Sequence, residues 1–282
     1  MTKRQPKENY LIDDSSKNVT PTPEIDHPTY RPADKLNGKV AIVTGGDSGI
    51  GAAVALLYAR EGADIVIVYY ESTDDAQKIK TKIEALGRRV LLCQGDIGDP
   101  AFAQEVVDQT QQAFQRIDIV VNNAGEQHVQ ETVGAITADQ FERTFRTNIF
   151  GQFYLTKAVL PHISDHGAII NTTSVTAFKG NPLLLDYSST KGAIVSWTRA
   201  LAQNEEVLKR HIRVNAVAPG PIWTPLIPAT FPKDKLENWG ETPMGRGGKA
   251  YELAPSYVFL AAVDSSFITG QVIHVNGGTF PG

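Results

Sequence analysis

The chain has 282 residues, 41% hydrophobic and 21% charged, enough apolar material for one large α/β core and too ordinary a mixture for a disordered or disulfide-stapled protein. A formal charge of -4 and a pI near 5.9 give no basic field for nucleic acid or an anionic membrane, so neither partner is expected. Cys93 is the single cysteine and no long apolar N-terminal run resembles a signal peptide or membrane span, so a reducing cytoplasm is the expected location. Cys93 itself, in Val90-Leu91-Leu92-Cys93, reads as a small core residue.

Residues 1–37 are rich in Pro, Asp, Lys, Thr and Ser without a sustained apolar period, which makes them an extension and not a domain. Pro21, Pro23, Pro28 and Pro32 favour an extended path, and Tyr10, Leu11, Ile25 and Tyr30 would pin it to a folded surface, a neighbouring subunit's included. A disordered tail is the alternative. From residue 38 to 282 strand and helix patterns alternate, predicting a single doubly wound α/β domain of Rossmann type with a seven-stranded parallel sheet flanked by helices. The strands are expected at Lys39–Val43, Asp64–Tyr70, Arg89–Gln94, Asp118–Asn122, Gly167–Thr172, Arg213–Ala216 and Gln271–Val275. Helices are expected at Ala52–Arg60, Ala76–Leu86, Ala101–Phe114, Ala138–Leu160, Tyr187–Leu208 and Tyr251–Val263. Thr137-Ala138-Asp139-Gln140 has the form of a capping box, and Gly87 suits a helix stop. No internal repeat suggests a solenoid.

The stretch Thr44-Gly45-Gly46-Asp47-Ser48-Gly49-Ile50-Gly51 joins the first strand to its helix. Glycines there let the backbone turn sharply, and the unpaired N–H groups of the new helix attract an anion such as pyrophosphate. A second strand follows at the βαβ interval, and Glu71 lies about 20 residues beyond the last glycine, as a dinucleotide site requires.

The spacing T-G-x-x-x-G-x-G, with Thr44, Gly45, Gly49 and Gly51 at the fixed places, resembles the short-chain dehydrogenase/reductase family. Over about residues 35–282 the other family stations follow in order: Asn122-Asn123-Ala124-Gly125, Asn148, Ser174, Tyr187-x-x-x-Lys191 and Pro219-Gly220. The resemblance implies that Gly45, Asp47, Ser48, Gly49, Ile50 and Gly51 hold the pyrophosphate, with Tyr70 and Glu71 at the ribose. Asp96 and Ile97 would lie at the adenine, although Asp96 would equally cap the next turn. Asn123, Ala124 and Gly125 would let the cofactor lie close, and Pro219, Gly220, Ile222 and Thr224 would meet the nicotinamide.

Tyr187 and Lys191 are four residues apart at the start of a helix and so share one face. A phenol has an unperturbed pKa of about 10 and is a poor acid or base at neutral pH, whereas a nearby ammonium favours the phenolate. The resemblance makes Tyr187 the proton donor or acceptor and Lys191 its tuner and the grip on the nicotinamide ribose. Ser174 would steady the substrate oxygen, with Thr172, Thr173 and Thr176 as contenders. Asn148 would complete a proton relay, unless it is an asparagine bonded locally within its helix. No spacing of the six histidines suggests a metal.

An acidic Glu71 accepts hydrogen bonds from a ribose and repels a 2′-phosphate, so the cofactor expectation leans to NAD, with NADP open. Residues 221–248, with Trp223, Phe231, Trp239 and Met244 and no firm period, are expected to form a substrate lid. Polar Glu126, Gln127 and His128 would help receive a hydroxylated substrate. The pattern is similar to glucose/ribitol dehydrogenase-like members, which implies a carbonyl or secondary alcohol substrate such as a sugar or polyol, with an aldehyde, ketone or 3-oxoacyl reductase as the alternative. A non-catalytic dinucleotide-binding regulator is the remote reading. Family likeness further implies a homotetramer packed through Phe150–Leu160 and Tyr187–Leu201.

Overall fold

A computed structural model describes residues 11–12, 19–236 and 239–281. Seven strands form one sheet in which every neighbouring pair is parallel: β1 (Val40–Thr44), β2 (Asp64–Tyr69), β3 (Val90–Gln94), β4 (Ile117–Asn122), β5 (Ile163–Thr172), β6 (Arg213–Pro219) and β7 (Val272–Val275). Their spatial order is β3-β2-β1-β4-β5-β6-β7, so the strand sequence reverses between β1 and β4. Crevices at such a reversal, beyond the carboxyl ends, are where open α/β sheets take ligands.

The helices are α1 (Gly49–Arg60), α2 (Thr73–Glu84), α3 (Pro100–Phe114), α4 (Ala138–Phe145), α5 (Gly151–Val159), α6 (Leu185–Ala202) and α7 (Ala254–Ala261), with shorter turns between them. β1 shows why both faces of the sheet are covered. Ala41 and Val43 join one core, with α1, α2 and α7, while Val40 and Ile42 join the other, with α3, α5 and the end of α6. Side chains alternate along a strand, so a run apolar at every position needs a helix on each side.

Three predicted helices are altered by tertiary contacts. The long helix expected over 138–160 is instead α4, a π-turn at Arg146–Phe150 and α5. Such an insertion re-aims side chains, and here it carries Asn148. Only half of the capping box forms: Thr137 Oγ1 accepts from Gln140 N at 3.1 Å, but the Gln140 amide donates to Asp186 Oδ2 at 2.9 Å. The helix expected over 187–208 ends at Ala202, after which the Asn204 side chain caps a separate helix, Glu205–Lys209. α7 begins at Ala254, following a 3₁₀ turn, with Pro255 in its first turn where no N–H is needed.

Part of the extension docks on its own chain. Ile25 and Tyr30 pack against the core on the α1 side. Glu61, fully buried at the end of α1, accepts hydrogen bonds from Ala33 N (3.1 Å), Lys35 N (2.8 Å) and the Tyr30 hydroxyl. Tyr10 and the Leu11 side chain lie outside the described residues. Among the described residues no helix is long and apolar enough to cross a membrane.

Replacing Glu61 by Ala strands those donors, and hydrogen bonds to a carboxylate contribute roughly 1.5–3 kcal/mol to stability. Urea unfolding of Glu61→Ala is expected to show a loss of that size, with the cofactor Kd near that of the wild type.

Candidate active site

The carboxyl ends of β1, β4, β5 and β6 surround a cavity of about 280 Å³. Its first wall is the glycine turn. Gly45 and Gly49 have φ of +64° and +52°, a region that disfavours side chains. Gly51 acts by packing, since a Cβ there would lie 2.0 Å from the Gly45 carbonyl oxygen. Gly45, Ser48, Gly49 and Ile50 line the cavity. Ser48 makes no side-chain cap bond and the first turn of α1 has no acidic residue, so the positive helix end stays available to a dinucleotide's pyrophosphate. These residues fit that group.

Thr44, which the motif placed but to which no role was given, stitches this turn to the next loop. Its hydroxyl donates to Val121 O (3.3 Å) and accepts from Asn123 N and Ala124 N, both at 2.9 Å. The Asn123 amide returns a bond to Thr44 O at 3.0 Å. Asn123, Ala124 and Gly125 therefore form a fixed second wall.

Tyr187 and Lys191 both line the cavity, the lysine buried and the tyrosine partly so. Ser174 lines the cavity beside Tyr187, close enough to lower the phenol's pKa, and its Oγ accepts from Thr176 N at 3.1 Å. The contending threonines are otherwise arranged: Thr172 Oγ1 lies 2.8 Å from the Tyr257 hydroxyl, Thr173 Oγ1 donates to Lys191 O at 2.7 Å, and Thr176 Oγ1 is buried without a partner among the described residues. Of these hydroxyls, Ser174 is the one that acts on the phenol's acidity.

Lys191 Nζ donates to Thr172 O at 2.9 Å and lies 5.3 Å from the centre of the Tyr187 ring. Burial pushes the Tyr187 phenol up to about 12, opposed by the neighbouring Ser174, and burial brings Lys191 down to about 7. This corrects the expected order of effects, because desolvation outweighs any pull of the lysine on the phenol. Asp186, also buried, holds the start of α6 in place by accepting from Tyr187 N (2.8 Å), Gln140 Nε2 and Thr144 Oγ1 (both 2.9 Å). A carboxylate before the tyrosine was the available signal, and its partners on α4 were not legible.

Asn148 is fully buried and does not bond within its own helix. Its Nδ2 donates to Glu126 O and Thr190 Oγ1, each at 3.0 Å, and its Oδ1 accepts from Glu126 N at 2.8 Å. A Cβ on Gly125 would stand 3.2 Å from Asn148 Oδ1 and 3.5 Å from Lys191 Nζ. That glycine keeps open the space between the two.

Pro219, Gly220, Ile222 and Thr224 make the opposite wall, and Leu226, Ile227, Phe231 and Trp239 roof it. Of the three polar residues after the second loop, only Gln127 lines the cavity, donating to Thr230 Oγ1 at 2.8 Å. Glu126 turns to Arg143 (3.3 Å) and Thr147 (3.1 Å), and His128 stands 3.5 Å from Glu126.

The remaining expected cofactor residues lie beyond the cavity wall. Ile97 packs in the core against Gly151. Burial alone would raise Asp96, but hydrogen bonds from Arg143 Nη1 (2.5 Å) and Gly98 N (2.8 Å), with the charges of Arg143 and Arg146, hold it below the usual carboxylate range. The Arg143 guanidinium sits 5.8 Å from the Tyr70 ring. Glu71 is exposed, with no side-chain hydrogen bond or ion pair among the described residues. Asp47 is raised by burial and by Asp75, against its own backbone hydrogen bond and Ser48. Among the described residues no group of three His, Cys, Asp or Glu is placed to hold a metal.

Residues 45–279 match the family described as enoyl-(acyl carrier protein) reductase. The chain belongs to the short-chain dehydrogenase/reductase family. It is 46% identical to an Arabidopsis thaliana protein named NADPH-dependent aldehyde reductase 1, chloroplastic, covering 97% of this chain and 95% of that one. It is 45% identical to glucose and ribitol dehydrogenase of Daucus carota, covering 97% and 94%. A crystal structure of a Burkholderia cenocepacia short chain dehydrogenase in complex with NADP superposes with a TM-score of 0.81 at 34% identity, over 87% of this chain and 99% of that one. The protein is thus an NAD(P)-dependent oxidoreductase that transfers hydride between the nicotinamide and a carbonyl or alcohol substrate.

The buried lysine gives this short-chain dehydrogenase/reductase a pH signature. Lys191 has a folded value of about 7, whereas an unfolded lysine titrates near ~10.4. Between these values the unfolded chain binds more protons, so the Lys191 contribution to stability rises with pH across that window and is flat below it. Wild type is expected to gain melting temperature relative to Lys191→Met as pH increases from about 7 to about 10. A constant difference would place the amine in water.

Proposed function

We propose that the protein is an NADP(H)-dependent reductase of small aldehydes that also oxidises sugar or polyol alcohols, with Ser174, Tyr187 and Lys191 as catalytic residues. The observation that carries the reading is that Ser174, Tyr187 and Lys191 line one cavity, with Ser174 close enough to the phenol to act on its acidity. When bound, the cofactor supplies or takes up the hydride. In reduction, Tyr187 gives its proton to the substrate oxygen while Ser174 donates a second hydrogen bond to the same atom, where negative charge develops. Lys191 is the group within reach to hold a ribose hydroxyl and restore the phenolic proton. Asn148 serves as a positioning residue, since its amide atoms are taken up by Glu126 and Thr190.

The relatives' names support both directions, aldehyde reduction and glucose or ribitol oxidation. The cavity itself offers apolar Leu226, Ile227 and Phe231 facing polar Gln127 and Asn181, which suits a short chain bearing hydroxyls. The lean to NAD drawn from Glu71 gives way to NADP(H), supported by the NADPH-dependent relative and the NADP-bound neighbour. The exposed position of Glu71, unattached to the groove, is compatible with that choice. A homotetramer in the cytoplasm completes the reading. Exposed Phe150 and Phe153 on the α5 side, with Phe153 edge-on to Trp197 of α6, supply an apolar face for a second copy.

Absorbance of NADPH with a panel of aldehydes, ketones, sugars and polyols tests the activity; tight cofactor binding with no turnover on any of them would favour a regulator. Tyr187→Phe is expected to lower kcat by about 10²–10⁴, the usual share of general acid–base catalysis, with cofactor affinity within about twofold. Retained activity in that variant would remove the phenol from the mechanism. NADPH is expected to exceed NADH in kcat/KM by about tenfold or more, a difference worth ~1.4 kcal/mol. The reverse preference would restore the Glu71 reading.

A further inference from the structure

The docked extension is held most firmly at one end. Arg60 Nη1 bonds Asp26 and the His27 carbonyl, both at 2.9 Å, its Nη2 bonds the Tyr30 carbonyl at 3.2 Å, and Glu61 gathers Tyr30, Ala33 and Lys35. All these anchors lie at the end of α1, away from the cavity roof. Upstream of them the chain reaches somewhere else.

The roof residues lie on one excursion that leaves the sheet through Ile222–Trp223 and returns through Gly248–Lys249. These two stems pair in parallel, Ile222 with Gly248 and Trp223 with Lys249. The extension touches both. On the outgoing stem, the buried Trp223 donates its Nε1 hydrogen to Pro21 O. On the returning stem, Lys249 Nζ pairs with Glu24 at 2.5 Å, Tyr251 N donates to Glu24 O at 3.3 Å, and the rings of His27 and Tyr251 lie 4.9 Å apart. The Trp223 ring also meets Trp239 edge-on, centroids 5.2 Å apart, and Trp239 lines the cavity.

We propose that the N-terminal extension is a clamp on the two stems of the cavity roof, with Trp223 as its positioning residue, and that it sets affinity for the carbonyl substrate. This rests on the reading that the substrate binds beneath that roof. The ion pair to Glu24 is half in solvent and contributes little by itself. The Trp223 bond is the stronger element, because a buried indole N–H without an acceptor retains its full desolvation cost. Anchorage at Arg60 and Glu61 makes the restraint effective, since a strand fixed at one end loses little further freedom on holding the stems. The returning stem keeps its own support from Arg246, paired with Glu252 at 2.6 Å. Loss of the clamp therefore loosens the roof without releasing it.

Two variants of the 282-residue chain test this: removal of residues 1–23, which takes away Pro21 but leaves every anchor from Asp26 to Lys35, and Trp223→Phe, which keeps an aromatic ring and removes the N–H. Both are expected to speed amide exchange at residues 226–236 and to raise KM for the aldehyde by about five- to tenfold, the scale of one buried hydrogen bond. The NADPH Kd should stay within twofold. Unchanged exchange, unchanged KM, or a KM and NADPH Kd that rise together would each overturn the clamp. Absence of turnover in the wild type would defeat the proposed function, and the exchange rates would still decide whether the strap restrains the roof.

Discussion

A lysine amine held inside the protein against a backbone carbonyl is the constraint on which the site depends. Lys191 Nζ reaches the Thr172 carbonyl at the end of β5, and Thr173 returns a bond to the lysine's own carbonyl. These contacts fix the second turn of α6 against the strand that delivers Ser174. The Tyr187 phenol, one helical turn earlier, is then brought beside Ser174 in the cavity. Burial disfavours charge on either group, pushing the phenol up to about 12 and the amine down to about 7. Such a pair responds strongly to a ligand that brings hydroxyls and polar edges to it, because polar contacts act at full strength where water is absent.

The sheet supplies the rest of the geometry. Reversal of strand order between β1 and β4 opens the crevice, and Thr44 closes the gap behind it by joining the glycine turn to Asn123 and Ala124. The π-turn moves Asn148 out of helical register so that its amide can brace the Glu126 backbone and Thr190. Asp186 fixes the first turn of α6 from the other side. Each of these polar groups is buried and bonded, which is what keeps a cleft lined by hydroxyls from shifting.

Much of this was legible in the sequence. Strands buried on both faces read as continuous apolar runs, and all seven appeared with boundaries shifted by a few residues, most at β5, which starts at Ile163. The Tyr187–Lys191 spacing placed both groups on one face because helical periodicity is local. What escaped were features decided by contacts distant in sequence. The π-turn at Asn148 depends on Glu126, the half-formed capping box on Asp186, and the break after Ala202 on a competing cap at Asn204. Electrostatics escaped as well, for spacing shows that a lysine is near a tyrosine but not that desolvation dominates both groups. The path of the extension rests on Glu61, an acidic residue at a helix end that gives no local sign of accepting three distant donors.

The most direct test of the account is a crystal structure of the protein with NADP⁺ and an alcohol substrate in the cavity. The account requires the substrate carbon within roughly 3–3.5 Å of the nicotinamide carbon that exchanges hydride. It also requires the substrate oxygen bonded to both Tyr187 and Ser174, with Lys191 Nζ on the adjoining ribose. A nicotinamide ring seated elsewhere, or a substrate oxygen out of reach of Tyr187, would contradict it.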